Sequence, residues 1–255
     1  MSDRALHDQV IRALADAPFR ASPEWRERRL ADPDRLERYA RFVARHFYYE
    51  RIVHFFKYSG ALARVTGRRP DAVLRHPAFD ALLPATVLGS RETAAQVAGL
   101  AAAHVRGGGP SPAIPYLDDL LEYEQTMMVV EAGPRVWREG KGEEGRGKGT
   151  AEAVEGTVLL GLAYDLPVIL PQLLAPWTEV PQAPARPARL LVARSRHGRV
   201  AVARPDDATT RVLELTDGTR TLEALAAGAG LEAGALRDTI QGLVDLGAVR
   251  FSRGS

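Results

Sequence analysis

His46, Glu50 and His54 stand at i, i+4 and i+8, so on a helix they face roughly one way. Two imidazoles and a carboxylate are good ligands for zinc or non-haem iron. Eight residues of helix cover about 12 Å, however, which is too far for all three to reach one ion. A stand-alone metalloenzyme built on His46, Glu50 or His54 is therefore the weakest reading. Tyr48, Tyr49, Phe55 and Phe56 surround the trio and predict a packed aromatic surface, used for helix packing or for a partner. Glu124 is sharper. It falls in the middle of the apolar face made by Leu117, Leu120, Leu121, Met127 and Met128. An unpaired carboxylate there is expensive to bury, so an ion pair with an arginine of the long helix is expected ahead of a catalytic role. No second acid with suitable neighbours supports a general acid/base pair.

The third group is cationic. Between Ala183 and Arg204 stand Arg186, Arg189, Arg194, Arg196, Arg199 and Arg204, with no acidic residue among them. Such a run either discourages edge-to-edge aggregation or docks an acidic extended peptide or a phosphate, and the two readings are evenly weighted. Composition removes other chemistry. The chain has no cysteine, hence no disulfide, thiolate zinc site, iron–sulfur ligation or cysteine nucleophile. Its 34 basic and 32 acidic residues leave +2, so any basic site must be local. There is no Walker lysine motif, no dinucleotide glycine fingerprint after a strand and no G-x-S-x-G elbow. No catalytic residues are assigned.

Helices must position these groups in the first half. Ser2 can cap a helix carrying Leu6, Val10 and Leu14 that ends before Pro18. Asp32-Pro33 starts a long helix through Leu36, Tyr39, Val43 and Phe47, with Gly60 as its kink or stop. Further helices are expected after Pro70, after Ser90 up to Gly107-Gly108-Gly109, and from Pro115 to about Glu131. The run Glu139–Thr150 is glycine with charges of both signs and predicts a loop or linker. Val158–Ile169 reads as a strand or buried connector, and the most apolar stretch, Val158–Leu174, is too short and too broken by Asp165, Pro167 and Pro171 to span a bilayer. With no apolar signal-peptide core after Met1, a cytoplasmic protein is expected.

The last seventy residues predict strands at Leu190–Val192 and Val200–Val202, joined by the loop Ser195-Arg196-His197-Gly198. Three helices follow: one capped by Asp207, one started by Thr221, and one from about Glu232 to Leu246 stopped by Gly247. Val249-Arg250-Phe251 adds a final strand. The fold class expected is α+β, a helical N-terminal domain followed by a winged-helix-like domain. A DNA-reading winged helix projects Arg, Lys, Asn or Gln from its third helix, whereas this one offers Arg237, Asp238, Gln241 and Asp245, which nearly cancel. Nucleic acid is disfavoured as a partner. The other use of such a domain is β-augmentation, in which an extended peptide pairs with Arg199, Val200, Ala201, Val202, Ala203 and Arg204 and lies against Arg237 and Gln241. Proline at Ala201 or Ala203, whichever amide faces outward, is expected to destroy that pairing.

Val212–Val249, with its turn Asp217-Gly218-Thr219-Arg220-Thr221, resembles the helical half of PqqD-type domains, whose turn reads DG-x-(R/K)-T. These are recognition elements that hold the leaders of ribosomally synthesised, post-translationally modified peptides (RiPPs). The helical part is similar to HvfC-type partner proteins through His76-Pro77-Ala78-Phe79, Leu88-Gly89 and Pro115-Tyr116-Leu117-Asp118-Asp119-Leu120 followed by Glu124. TglI-type subunits join a related helical part to a recognition element. The resemblance covers most of the chain on short motifs, and departs from the pattern at Glu139–Thr150 and around Val158–Trp177.

Such proteins accompany multinuclear non-haem iron oxidases that modify cysteines or other residues of ribosomal peptides. The resemblance implies a non-catalytic accessory subunit with no metal or cofactor of its own, iron being carried by the partner oxidase in a heterodimer. It implies a precursor-peptide leader as the second partner, and no membrane. The docking residues would be Tyr48, Tyr49, Phe55, Phe56 and Glu124. Residues 1–138 would be the partner domain, 139–152 a linker, 153–180 a connector and 181–255 the PqqD-like domain. A winged-helix DNA-binding transcriptional regulator is the alternative.

Overall fold

The computed structural model describes residues 3–28, 32–107, 113–132, 150–195 and 197–252. Of the loop expected at Glu139–Thr150, residues 139–149 lie outside these residues, as do Ser2, Gly108, Gly109 and Arg196, while Thr150 and the last linker residues 151–152 belong to a strand instead. The architecture is α+β and divides into two compact units, residues 1–128 with 167–182 and residues 129–166 with 183–255. No helix among the described residues is long and apolar enough to cross a membrane.

The first unit is helical. It contains α1 (Asp3–Ala15), α2 (Ala17–Ala21), α3 (Pro23–Arg26), α4 (Pro33–Phe55), α5 (Lys57–Thr66), α6 (Pro77–Leu82), α7 (Arg91–Arg106), most of α8 (Leu117–Glu131) and α9 (Leu170–Leu174). Asp32 starts α4 by accepting from the amides of Asp34 and Arg35, with Pro33 in the first turn. Ser90 starts α7 by accepting from the Thr93 amide. The segment after Pro70 is a 3-10 helix, Pro70–Arg75. Ala40, Ala44, Tyr48, Ile52 and Phe55 face inward from α4, the three-and-four spacing of a helix buried on one side. The long helix does not stop at Gly60. It breaks at Phe56 (φ −94°, ψ +33°), and Gly60 lies inside α5.

The second unit carries the strands and three further helices: β1 (Thr150–Ala153), β2 (Val158–Leu162), β3 (Ala188–Arg194), β4 (Val200–Ala203), α10 (Asp207–Leu215), α11 (Leu222–Ala229), α12 (Ala233–Leu246) and β5 (Val249–Ser252). β2, β3 and β4 form an antiparallel sheet in that order, and β1 pairs separately with β5. β3 is central, and Leu190, Leu191, Val192 and Ala193 are buried on both its faces. Leu191 and Ala193 pack with Val212, Leu225, Leu236, Ile240 and Leu243 of the three helices. Each of the leucine, isoleucine and valine side chains contributes about 1.5–3 kcal/mol when fully buried.

Asp206, rather than Asp207, caps α10, its Oδ1 accepting from the Thr209 amide at 2.7 Å. Asp207 sits one position too late, in the first turn. Thr221 caps α11 through the Ala224 amide at 3.2 Å. α12 ends at Gly247 (φ +82°), where a Cβ would lie 2.2 Å from the Arg194 carbonyl oxygen. Only glycine meets both the left-handed backbone and that close approach to β3.

Candidate functional site

β4 has β3 on one side and, among the described residues, no strand on the other. The register pairs Arg194 with Val200, Ala193 with Ala201, Val192 with Val202 and Leu191 with Ala203. At the loop end the Ser195 amide donates to the Arg199 carbonyl at 2.8 Å. Hydrogen-bonded and non-bonded pairs alternate along an antiparallel ladder. Ala201 and Ala203 therefore bond to β3, while the N–H and C=O groups of Val200 and Val202 point to the open edge. The expectation that an Ala201 or Ala203 amide faces outward is thus corrected, because the ladder assigns that role to the two valines. Alternation also puts Ala201 and Ala203 on the helix-facing side with Leu191 and Ala193, and Val200 and Val202 on the opposite face.

The flanking arginines are not equivalent. Asp165, outside the arginine run and fully buried, accepts hydrogen bonds from both Arg186 and Arg204. The Arg186 hydrogen bond, with help from Arg204 and against the cost of burial, holds the Asp165 carboxyl below its ordinary range. Arg199 is exposed at the loop end of β4. On α12, Arg237 is exposed, and Gln241 donates to Asp245 on its own helix at 3.0 Å. β4 thus offers unpaired main-chain groups, small side chains on one face and cations at both ends, which suits an extended peptide carrying acidic groups.

The chain matches no family model and no curated protein.

In the helical unit, Glu124 is fully buried and its partners are not arginine. Oε1 accepts from the amides of Tyr58 (2.8 Å) and Ser59 (3.1 Å), the first turn of α5. The helix break at Phe56 frees those amides, and the Glu124 carboxyl from α8 satisfies them, the positive end of the α5 dipole favouring its ionised form. Oε2 has no hydrogen-bond partner among the described residues. Burial pushes the carboxyl up to about 8, against the Ser59 and Tyr58 donors and the Lys57 charge, which favour the ionised form.

Of the expected docking residues, Tyr48, Phe55, Phe56 and Glu124 are interior, and Tyr49 alone reaches the surface. Helix packing is the role of Tyr48 and Phe55, which share the inward stripe of α4. The outward stripe is Tyr39, Phe42, His46, Tyr49 and Val53, spaced three, four, three and four. Tyr39, Phe42, Tyr49 and Val53 are each about half exposed, from 44 to 63%. Phe42 stacks against both Tyr39 and His46. His46 Nε2 and Glu50 Oε1 lie 3.4 Å apart, both side chains exposed. No cluster of three metal-ligating side chains occurs among the described residues.

Proposed function

We propose that this chain is a non-catalytic partner subunit that holds a ribosomal precursor peptide and presents it to a multinuclear non-haem iron oxidase. The observation that carries this reading is the open edge of β4, with the backbone of Val200 and Val202 turned outward. The β3–β4 hairpin followed by three helices, with Asp217–Thr221 between α10 and α11, supports the expected assignment of residues 181–255 to a winged-helix-like, PqqD-type recognition element, whose sheet takes β2 from outside that range. A leader would add as a strand beside β4, its main chain supplying affinity and its acids meeting arginine. Holding the leader raises the effective concentration of the attached core peptide at the enzyme.

The helical unit would dock the oxidase through the outward stripe of α4. Exposed aromatics at heptad-like spacing mark a binding face rather than a solvated one. Arg35 and Arg38 are exposed at its N-terminal end. These cations suit a partner whose apolar ridge is bordered by carboxylates. The DNA-regulator reading has less support, because the exposed side of α12 carries Arg237 with Asp238 and Asp245.

Reconstitution tests the proposal. The oxidase, this chain and the precursor are combined, and the precursor mass is followed. Modification that needs all three, and that fails on a core peptide lacking its leader, is the expected result. An oxidase equally active without this chain, or modification by this chain alone, would overturn it.

A further inference from the structure

We propose that Asp165 clamps Arg186 and Arg204 into a preorganised anion-binding pair that reads a carboxylate side chain of an extended peptide at the Arg204 end of β4. This rests on the β4-edge reading. Asp165 Oδ2 accepts from Arg186 Nη2 and, at 3.3 Å, from Arg204 Nη1, while Oδ1 accepts from Arg204 Nη2. The main chain reinforces the clamp, because the amides of Asp165 (3.0 Å) and Arg186 (2.8 Å) both donate to the Pro184 carbonyl. The acid side chain is fully buried, yet the arginine side chains remain 67% and 47% exposed.

Each guanidinium has five N–H donors. Asp165 engages one from Arg186 and two from Arg204, so donors are left over and the trio keeps one net positive charge. A solubilising edge needs no buried acid, and burying one is costly unless it is paired. What the clamp supplies is position: two long side chains are already ordered, which lowers the entropy lost on binding. Arg204 directly follows the last residue of β4, at the end of the edge where a strand would add. The leftover forks match a carboxylate, and one such pair is too little for a duplex, which needs several phosphate contacts.

The test is selection of an mRNA-displayed library of random dodecapeptides on the full chain. Wild type, Arg186→Gln, Arg204→Gln, Arg204→Lys, Asp165→Asn and Val202→Pro are compared. Wild type should select Asp or Glu at one fixed position, and both Gln variants should lose that preference, with the winning peptide bound about tenfold more weakly. Asp165→Asn separates positioning from bulk charge. It removes a negative charge and so raises the net positive charge by one; a merely electrostatic patch would then select acids more strongly, whereas a clamp predicts that positional preference disappears. Should the Asn variant lose its folded spectrum, Arg204→Lys decides, since it keeps the charge and loses the fork.

Acid selection unchanged in Arg186→Gln and Arg204→Gln, or a wild-type pool without an acidic position, overturns the pair. A pool abolished by Val202→Pro but retaining its acids in Arg204→Gln removes the pair and leaves the β4-edge reading. A pool that survives Val202→Pro yet loses its acids in Arg204→Gln does the reverse. No pool at all overturns both.

Discussion

At the scale of single residues, Glu124 makes stability depend on pH in an unusual direction. Its folded carboxyl titrates near 8 against an ordinary value of 4.5, because burial disfavours the charge. Between those values the folded chain holds a proton that the unfolded chain has lost. The contribution is therefore fully present below about 4.5, declines as pH rises towards 8, and is flat above. The steepest slope one site can give is about 1.4 kcal/mol per pH unit. Glu124→Gln keeps an acceptor for the Tyr58 and Ser59 amides and removes the titration, so its melting temperature should vary less than wild type between pH 5 and 8.5. Parallel curves for the two proteins would show that this carboxyl is not what titrates. Glu124 was legible as an anomaly, an acid amid leucines and methionines. Its partners were not, because main-chain amides freed by a helix break leave no mark in side-chain spacing. The Asp165 clamp was hidden for a related reason: the acid lies 21 residues before Arg186 and 39 before Arg204, so a window over the arginines alone shows no counter-charge.

At the scale of elements, cap residues and helical periodicity located most helices, since Asp32-Pro33, Ser90, Thr221 and Gly247 act locally through adjacent backbone groups. The break at Phe56 was missed because it depends on α8 packing across the chain, whereas Gly60 offered a local signal with nothing to enforce it. Gly247→Ala should cost about 1–3 kcal/mol from the left-handed backbone alone, and more from its clash with β3. Chemical denaturation monitored in the second unit checks this; a cost under 0.5 kcal/mol would mean that α12 can end without glycine. The aromatic stripe makes the opposite prediction. Phe42 is 63% exposed, so Phe42→Glu should change stability by less than about 0.5 kcal/mol while abolishing co-elution with the oxidase. Retained co-elution would place docking elsewhere. Tyr48 and Phe55 resemble the outward aromatics in sequence because aromatic residues occur on both sides of α4, and only burial tells which side is in.

At the scale of the whole molecule, the chain leaves the second unit after Leu166 and returns to it at Ala183, so β2 and its partner β3 belong to one unit although a segment of the other lies between them. The sequence carried the β3–β4 hairpin and the three following helices, because those contacts are local. It did not reveal that Thr150–Ala153 pairs with Val249–Ser252, a contact spanning about a hundred residues with no motif to announce it. The division of labour implies different salt responses. Leader binding through exposed arginine should weaken as salt rises, since such contacts are screened over about 10 Å at 0.1 M, while docking through an aromatic stripe should change less. Equal slopes for the two partners, measured by titration in increasing sodium chloride, would contradict the assignment of the two surfaces.

The central claim is that β4 accepts a peptide as an added strand, and one substitution addresses it most directly. Val202 turns its amide away from β3, and edge strands tolerate proline where the missing N–H faces solvent. Val202→Pro should therefore leave the sheet folded and remove a main-chain donor that the peptide needs. Ala201→Pro breaks a bond to β3 and serves as the destabilised control. Fluorescence anisotropy of a labelled leader, read beside the melting temperature of each variant, is the measurement. The account predicts that Val202→Pro loses leader binding with a near wild-type melting temperature. Undiminished leader affinity in a folded Val202→Pro protein would contradict it.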